Sequence, residues 1–273
     1  MAAPDISHAS LTLGRVLYDN LARQSGATIT WSGTESTAQP YENAFDWRDF
    51  SLFRVTATET ANLDIVLPLG GTLDCWSVFT SKYEATAAAT ITLYYESAPA
   101  VFTQLGQVTI TDEAKLSMIA FTEVTVAAGR KIRFTIAASD EDLLIRQLAA
   151  GPRLDFPMGQ FQGITPPNLL QGVVQDTVVG VNGSFLGRNI RREVRTTEID
   201  LMYLDPDWVR SEWQAFAQHA KKNAFFYMWA PELYPNEAVF AWGKINPPVN
   251  SGPAALMQVS MPLNCLVADE DVL

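Results

Sequence analysis

The sequence predicts a mainly β fold made of two β-sandwich domains, and three observations lead to this prediction. Short alternating segments separated by turn residues recur through residues 18–149, which is typical of an antiparallel sandwich. A stretch rich in proline and glycine follows and indicates an extended connection. Beyond it, one capped helical segment lies among strand-like segments. We therefore expect an N-terminal arm at 1–14, a sandwich at 15–150, a linker or arm at 151–184 and a second domain at 185–273.

The N-terminal arm carries alternating apolar side chains. Leu11, Leu13 and Val16 fit a strand that adds to a neighbouring sheet or subunit. The first residues have neither a basic start nor an apolar core, so we expect no signal peptide. No run approaches the roughly 20 apolar residues of a membrane span. We therefore expect that the protein is synthesised in the cytoplasm of a host cell and does not insert into a membrane.

The first domain is predicted to be an antiparallel jelly roll. Eight or nine short strands with turn signals between them favour this architecture. The predicted strands are Ala27–Ser32, Leu52–Ala57, Leu63–Leu67, Leu73–Thr80, Thr90–Tyr95, Gln107–Thr111, Leu116–Val126, Lys131–Ala137 and Leu143–Leu148.

The opening of this domain has an order of aromatic and polar residues that resembles a known group. Tyr18-Asp19-Asn20-Leu21, Ile29-Thr30-Trp31-Ser32 and the run from Tyr41 to Trp47 are similar to the start of discoidin-like, carbohydrate-binding sandwiches. The resemblance implies that some of the aromatic rings here stack on sugars, although core packing is the better explanation for each ring taken singly. The candidates are Trp31, Tyr41, Trp47 and Tyr83.

The second domain begins with an alternating strand and a helix. Residues 197–204 place Ile199, Leu201 and Tyr203 on one face, the period of a half-buried strand. Asp205-Pro206-Asp207 then supplies an N-cap, a first-turn proline and a first-turn carboxylate, which predicts a helix over about 205–222. Its apolar stripe comprises Val209, Trp213, Phe216, Ala217 and Ala220.

Two aromatic strands follow, and their pattern resembles a second family. Trp208–Phe216, Asn223–Pro235 and Ala238–Gly243, preceded by Asn182–Arg192, resemble C-terminal parts of tail-tip proteins of long-tailed bacteriophages. The nearest relatives by this likeness are distal tail proteins and related minor tail or baseplate proteins.

This resemblance implies a structural protein of the virion tail tip. Such a subunit forms a ring, expected to be a homohexamer, around the tail channel, and it connects the tail tube to the hub and to peripheral fibres. The second domain would be the ring-forming belt, and the first would project outward. The alternative from the first resemblance is a glycan-binding adhesin or receptor-binding protein that recognises a host surface glycan. The third hypothesis is a glycosidase, but the sequence shows no recognisable pair of catalytic carboxylates.

A cluster of arginines lies at the start of the second domain, at positions Arg188, Arg191, Arg192 and Arg195. The cluster is too small, and too poor in interleaved aromatics, for a nucleic-acid site. Two interpretations stay open. One is a solvated strand face, and the other is an intersubunit contact in which guanidinium groups bind Glu198 or Asp200 of a neighbour.

Composition narrows the function classes further. The 273 residues carry a net charge of −11, which argues against binding to nucleic acid, since phosphate neutralisation needs clustered Lys and Arg. The acidic residues either keep the protein soluble or line a channel through which DNA passes.

Only two histidines, His8 and His219, are present, and neither has a nearby nucleophile and carboxylate that would complete a catalytic triad. We therefore expect no enzymatic activity and no cofactor. Cys75 and Cys265 are expected to be core residues. A calcium site at the Asp46/Asp49 turn or at 140–142 stays open, although neither has the spacing of a known loop.

Overall fold

The computed structural model of the protein describes residues 13–81, 83, 86–111, 114–159, 164–167, 169, 172–179, 185–250 and 256–267. For 172–179 and 185–194 it describes the backbone alone. The arm predicted at 1–14 therefore lies outside the described residues except for its last two positions.

The described residues include eighteen strands, which account for about half of these residues. In chain order they are β1 (Arg15–Leu17), β2 (Thr28–Trp31), β3 (Phe53–Val55), β4 (Thr60–Val66), β5 (Gly71–Thr80), β6 (Ala89–Ala98), β7 (Val101–Ile110), β8 (Leu116–Val126), β9 (Lys131–Ala137), β10 (Leu143–Gly151), β11 (Leu154–Asp155), β12 (Gly172–Val179), β13 (Phe185–Val194), β14 (Thr196–Leu204), β15 (Phe225–Met228), β16 (Ala238–Gly243), β17 (Val249–Asn250) and β18 (Met257–Leu266). The prediction of a mainly β fold with sandwich architecture is confirmed.

The first domain is a sandwich of two antiparallel sheets. One sheet has the order β2-β4-β9-β6-β7, and the other has the order β3-β10-β5-β8. Alternate residues of the facing strands, such as Leu63, Phe134 and Ile145, are fully buried between the two sheets. This alternation is the pattern that the sequence displays, because successive side chains of a strand point to opposite faces.

The second unit is one sheet into which the sandwich is inserted. Its order is β11-β1-β15-β16-β18-β14, with β17 paired to β18. Strands β1 and β11 pair with each other, Arg15 opposite Asp155, and the chain between them makes the sandwich. Strand β1 thus lies in the second unit, whereas the sequence analysis assigned residues 15–150 to the first. A three-residue strand carries too little pattern to indicate which sheet it joins.

The molecule has four layers: the two sheets of the sandwich, then the sheet of the second unit, then the helix. In the second unit, β15 and Ala238–Ala241 of β16 are buried on both faces. Phe225 and Tyr227 of β15 face the helix, and Phe226 and Met228 face the sandwich. Strand β5 is also covered on both faces, because Cys75 packs toward the second unit. A continuous apolar run is the expected signature of a strand buried on both faces.

The helix predicted at about 205–222 is present, and we call it α1. It consists of Pro206–Trp208, a π-helical segment at Val209–Trp213 and a final segment at Gln214–Ala220. The Asp205 carboxylate accepts from the backbone N–H of Asp207, as an N-cap does. All five residues of the predicted apolar stripe are buried against the sheet. No helix in the described part of the chain is long and apolar enough to cross a bilayer.

One side chain of β14 departs from the predicted alternation. Ile199 and Leu201 are buried as predicted, but Tyr203 is exposed and Leu204 takes the buried place. The pairing with β18 shifts between Leu201 and Leu204, and Tyr203 adopts a positive φ of 58°. The prediction for Tyr203 was wrong because such a bulge rotates the following side chains to the other face.

Candidate functional site

A two-stranded ribbon lies next to the edge of the second sheet. Strands β12 and β13 pair with each other from Gly172 opposite Val194 to Val179 opposite Phe185, and they form a sheet of two strands in the described structure. Strand β13 continues through Arg195 into β14, the last strand of the large sheet. The ten residues of β13 span roughly 33 Å. An isolated hairpin of this kind is marginally stable in water, so it gains from pairing with another surface.

The candidate contact residues lie along this ribbon and edge. Arg188, Arg191 and Arg192 are on β13, where side chains lie outside the description. Arg195 is half-buried, and its carbonyl accepts from the Cys265 N–H, which fixes the ribbon base to β18.

The two predicted acidic partners are on the neighbouring strand. Glu198 is exposed on β14, and Asp200 is half-buried and accepts from the Gln258 side-chain amide at 3.0 Å. Five of the six predicted residues thus lie on the consecutive strands β13 and β14, and Arg195 lies between the two strands. The intersubunit contact between them stays a prediction.

Trp47 joins the inserted sandwich to the second unit. Its ring is buried and stacks on Phe240 with centroids 6.3 Å apart, and it meets His219 of α1 edge-on at 5.2 Å. Trp47 has a positive φ of 62°, a conformation that costs about 1–2 kcal/mol for a residue with a side chain. Surrounding contacts must therefore hold it in place.

The contact that holds this loop is the side chain of Gln147 on β10. Gln147 is 1% exposed, and its carbonyl oxygen accepts from the Trp47 N–H at 3.1 Å. Its amide donates to Asp46 Oδ1 at 3.0 Å and to the Arg48 carbonyl at 2.7 Å. Gln147 was not among the predicted site residues, although a signal exists, because it takes the place of an apolar side chain two positions after Ile145 in an alternating strand.

Beyond Trp47, the same loop forms one wall of a surface groove, which we call the junction groove. The groove has a volume of about 340 Å³ and lies between residues 47–50, the end of α1 and the end of β16. Phe50 and Trp242 line it and are 76% and 40% exposed. Arg48, Lys221 and Lys222 give it a positive rim, with Asp49 as a carboxylate in the lining.

The four predicted sugar-stacking aromatics occupy two kinds of environment. Trp47 and Tyr83 are buried, so neither ring offers an open face; the Tyr83 hydroxyl is 2.7 Å from Ser139 Oγ. Trp31 and Tyr41 are half-buried at one rim of the sandwich. The Tyr41 hydroxyl donates to the Ile29 carbonyl at 3.5 Å, which places Tyr41 beside β2, the strand that carries Trp31.

The carboxylates at the two turns considered for calcium have protein partners. Asp46 accepts from the Ser51 hydroxyl at 2.6 Å in addition to its contact with Gln147. Asp140 accepts from the hydroxyl and the N–H of Thr86, and these bonds hold its pKa well below the usual range. Asp142 accepts from the Ala57 N–H at 2.9 Å. Within the described ranges, no three Asp, Glu, His or Cys side chains converge as a metal site.

The two cysteines and the described histidine are packed groups. Cys75 and Cys265 are free and buried, as expected of core residues, and burial raises the pKa of the Cys265 thiol to about 12. His219 Nε2 lies 2.9 Å from the Ala224 carbonyl, and burial lowers the pKa of its imidazole. Asp19 opposes that shift through its charge.

Comparison with known proteins gives only structural likenesses. No family model matches the sequence, and no curated protein matches it. A Ruminococcus gnavus GH29 fucosidase in complex with fucose is 16% identical with a TM-score of 0.42, covering 51% of this chain and 28% of its own. The chitosan-binding module 1 of a Paenibacillus sp. IK-5 chitosanase/glucanase is 17% identical with a TM-score of 0.39, covering 49% and 99%. A CBM32 module of Clostridium perfringens in complex with GalNAc-β-1,3-galactose is 10% identical with a TM-score of 0.40, covering 49% and 100%.

Proposed function

We propose that this protein is a non-enzymatic structural subunit of a bacteriophage tail tip, where copies of it form a ring around the tail channel. The observation that carries the proposal is the two-stranded ribbon β12–β13, which extends from the edge strand β14 and pairs with no other strand in the described structure. The resemblance of segments within residues 182–243 to tail-tip proteins supports a tail tip as the assembly.

The ribbon supports self-association for a physical reason. A free strand edge exposes backbone N–H and C=O groups, which another chain can pair by adding a strand. If the ribbon of one copy pairs with the β14 edge of the next, each copy contributes its ribbon to one contact and its β14 edge to another. Such a heterologous contact closes into a ring when its rotation fits a whole number of subunits, and a homohexamer is the expected number.

The remaining parts of the molecule fit this role. The inserted sandwich is fixed to the belt by the buried contacts of Trp47, so it would project from the ring as a rigid unit. The expected partners are the tail tube protein, the hub and peripheral fibre proteins. The net charge of −11 would keep DNA from adhering if part of it lines the channel.

The test is the assembly state of the full chain with and without its ribbon. We expect the purified protein to form a closed ring in light scattering and negative-stain images. Replacement of residues 172–194 by a short Gly/Ser linker should give a monomer whose unfolding midpoint is unchanged. As a matched control, an exposed turn of the sandwich, Ser97–Ala100, is replaced by Gly/Ser residues and should assemble normally. A wild-type chain that stays monomeric at high concentration and is absent from tail tips would refute the proposal.

A second candidate function is glycan binding by the sandwich. The observation that favours it is the rim where Trp31 and Tyr41 lie half-buried, with Tyr41 bonded to the strand that carries Trp31. The carboxylates of Glu42 and Glu35 are near enough to act on the Tyr41 hydroxyl. The exposed part of such a ring is suited to stack on a sugar, and a neighbouring carboxylate is suited to accept from the sugar hydroxyls. The fucosidase named above is in complex with fucose, and the two modules are a chitosan-binding module and a CBM32 module in complex with GalNAc-β-1,3-galactose. This candidate extends saccharide binding to this chain.

The glycan test needs the full chain. The outer face of the β5–β8 sheet is covered by the second unit, so an isolated sandwich would expose Phe79, Leu116 and Met118. We expect micromolar binding on a glycan array that Trp31→Ala abolishes. Tyr203→Ala is the control, since Tyr203 is an exposed aromatic of the other unit. An array without binding would remove this candidate and leave the structural proposal intact.

A further inference from the structure

Two exposed apolar features lie at opposite ends of the same β-hairpin. Strands β15 and β16 pair from Phe225 opposite Ala241 to Met228 opposite Ala238. The turn that joins them, residues 229–237, lies at the Met228 end, and the junction groove lies at the Ala224 and Gly243 end. The hairpin keeps the turn and the groove roughly 17 Å apart along the strands, so one copy cannot bring its own turn into its own groove.

The turn presents a rigid apolar tip, which we call the turn tip. Leu233 and Tyr234 are 63% and 45% exposed. The Tyr234 ring stacks on Trp229 with centroids 5.1 Å apart, and the Tyr234 N–H donates to the Ala230 carbonyl at 2.8 Å. Trp229 Nε1 in turn donates to Glu237 at 2.7 Å. Because these contacts fix the turn, docking would cost little conformational entropy.

The groove is equally pre-organised. Gln147 and the stacked ring of Trp47 hold the loop that carries Phe50, and Trp242 belongs to the paired strand β16. A volume of about 340 Å³ is near the lower end of the roughly 300–1,000 Å³ of ligand pockets. It is therefore suited to one or two side chains.

The charges of the two features are complementary. The groove rim contains Arg48, Lys221 and Lys222, while the turn tip contains the exposed Glu232. Basic groups are scarce in a chain of net charge −11, so this concentration of cations favours an acidic, apolar partner. The chain itself displays such a partner at the other end of the hairpin.

We propose that the turn tip of one copy docks into the junction groove of the next copy, as a head-to-tail contact. This inference rests on the proposed self-assembly and names a surface for it besides the ribbon. Leu233 and Tyr234 would lie between Phe50 and Trp242, and Glu232 would meet Lys221 or Lys222. Since the two surfaces differ, the contact is heterologous and propagates around a ring.

Cross-linking with variants of the full chain that each carry one added surface cysteine tests the contact. Leu233→Cys and Phe50→Cys are mixed and treated with a flexible bis-maleimide; Cys75 and Cys265 are buried and should not react. We expect a cross-linked dimer from the mixture and none from either variant alone, because a head-to-tail contact never places two copies of one residue together. Leu69→Cys, at an exposed leucine on another surface, replaces Phe50→Cys in the control and should give no dimer.

Charge reversal gives an independent measurement. Glu232→Lys and the pair Lys221→Glu with Lys222→Glu should each weaken assembly, on the order of tenfold in the association constant, and their combination should restore it. If the wild-type chain assembles but neither cross-linking nor charge reversal responds, the docking contact is refuted and the ribbon proposal stands. A wild-type chain that never assembles refutes both. A third outcome is an assembly that none of these changes affects and in which a saccharide quenches the fluorescence of Trp242. That outcome would assign the groove to the saccharide and refute the contact.

Discussion

Removal of the Gln147 side chain should destabilise the protein by about 3 kcal/mol, because this side chain holds the loop that carries Asp46, Trp47 and Arg48. Gln147→Ala deletes three hydrogen bonds and leaves the Trp47 N–H and the Arg48 carbonyl without this partner. Each buried backbone group left unsatisfied costs about 1–3 kcal/mol, and the lost methylene groups add a cavity cost.

The assay is urea unfolding followed by tryptophan fluorescence. With a slope of about 3 kcal/mol per molar, the midpoint should fall by roughly 1 M. The control is Gln104→Ala, which removes an exposed glutamine of β7 and should leave the midpoint unchanged.

An isosteric variant separates hydrogen bonding from volume. Gln147→Glu keeps the acceptor for the Trp47 N–H, but it replaces the donor with a carboxylate that faces Asp46. We expect it to be at least as unstable as the alanine variant at neutral pH. It should recover as the pH falls below about 5, because a protonated carboxyl donates again. A midpoint within experimental error of wild type for either variant at pH 7 would refute the assigned role of Gln147.

Three further predictions concern single groups. Burial lowers the pKa of His219 in the folded state, so its contribution to stability is complete above the unfolded value of about 6.5 and is lost as the pH falls through the folded pKa. The unfolding free energy between pH 8 and pH 5 should therefore decline less in His219→Gln, and equal slopes would contradict the assignment. Asp64 accepts from Arg133 Nε at 2.6 Å and Nη2 at 2.9 Å, so Asp64→Asn should cost about 1–3 kcal/mol in chemical denaturation, with Glu123→Gln, an exposed residue of β8, as the control. A Cβ on Gly151 would collide with the Asp19 carbonyl, so Gly151→Ala should cost more than about 2 kcal/mol. Gly129→Ala meets no atoms within 4 Å and should cost only about 1 kcal/mol for its φ of +76°, and equal melting temperatures for the two variants would refute the steric argument.

The local features of the fold were readable from the chain because each depends on near neighbours. Helix α1 was predicted with its cap and all five stripe residues, since a period of 3.6 and an N-cap need only adjacent positions. The sandwich strands were readable for the same reason. Tyr203 was not, because a bulge depends on the register with β18, which is set by residues more than fifty positions away.

The candidate sites were less predictable. The six residues of the predicted intersubunit contact lie on the consecutive strands β13 and β14 and at Arg195 between them, which follows from their closeness in sequence. The stacking residues Trp47 and Tyr83 are buried, and aromatic type alone does not distinguish a core ring from a surface ring. The junction groove was missed entirely, because its walls come from residues 47–50, 220–224 and 240–243.

The sequence by itself determined the fold class, the sandwich strands, the capped helix and the core positions of both cysteines, because periodicity and capping act within a few residues. Only the tertiary structure decided that the sandwich is inserted between β1 and β11, that the sheets stack in three layers, and that the turn tip and the junction groove occupy opposite ends of one hairpin. These features arise from burial between segments far apart in the chain, and no local pattern encodes which apolar face will cover which.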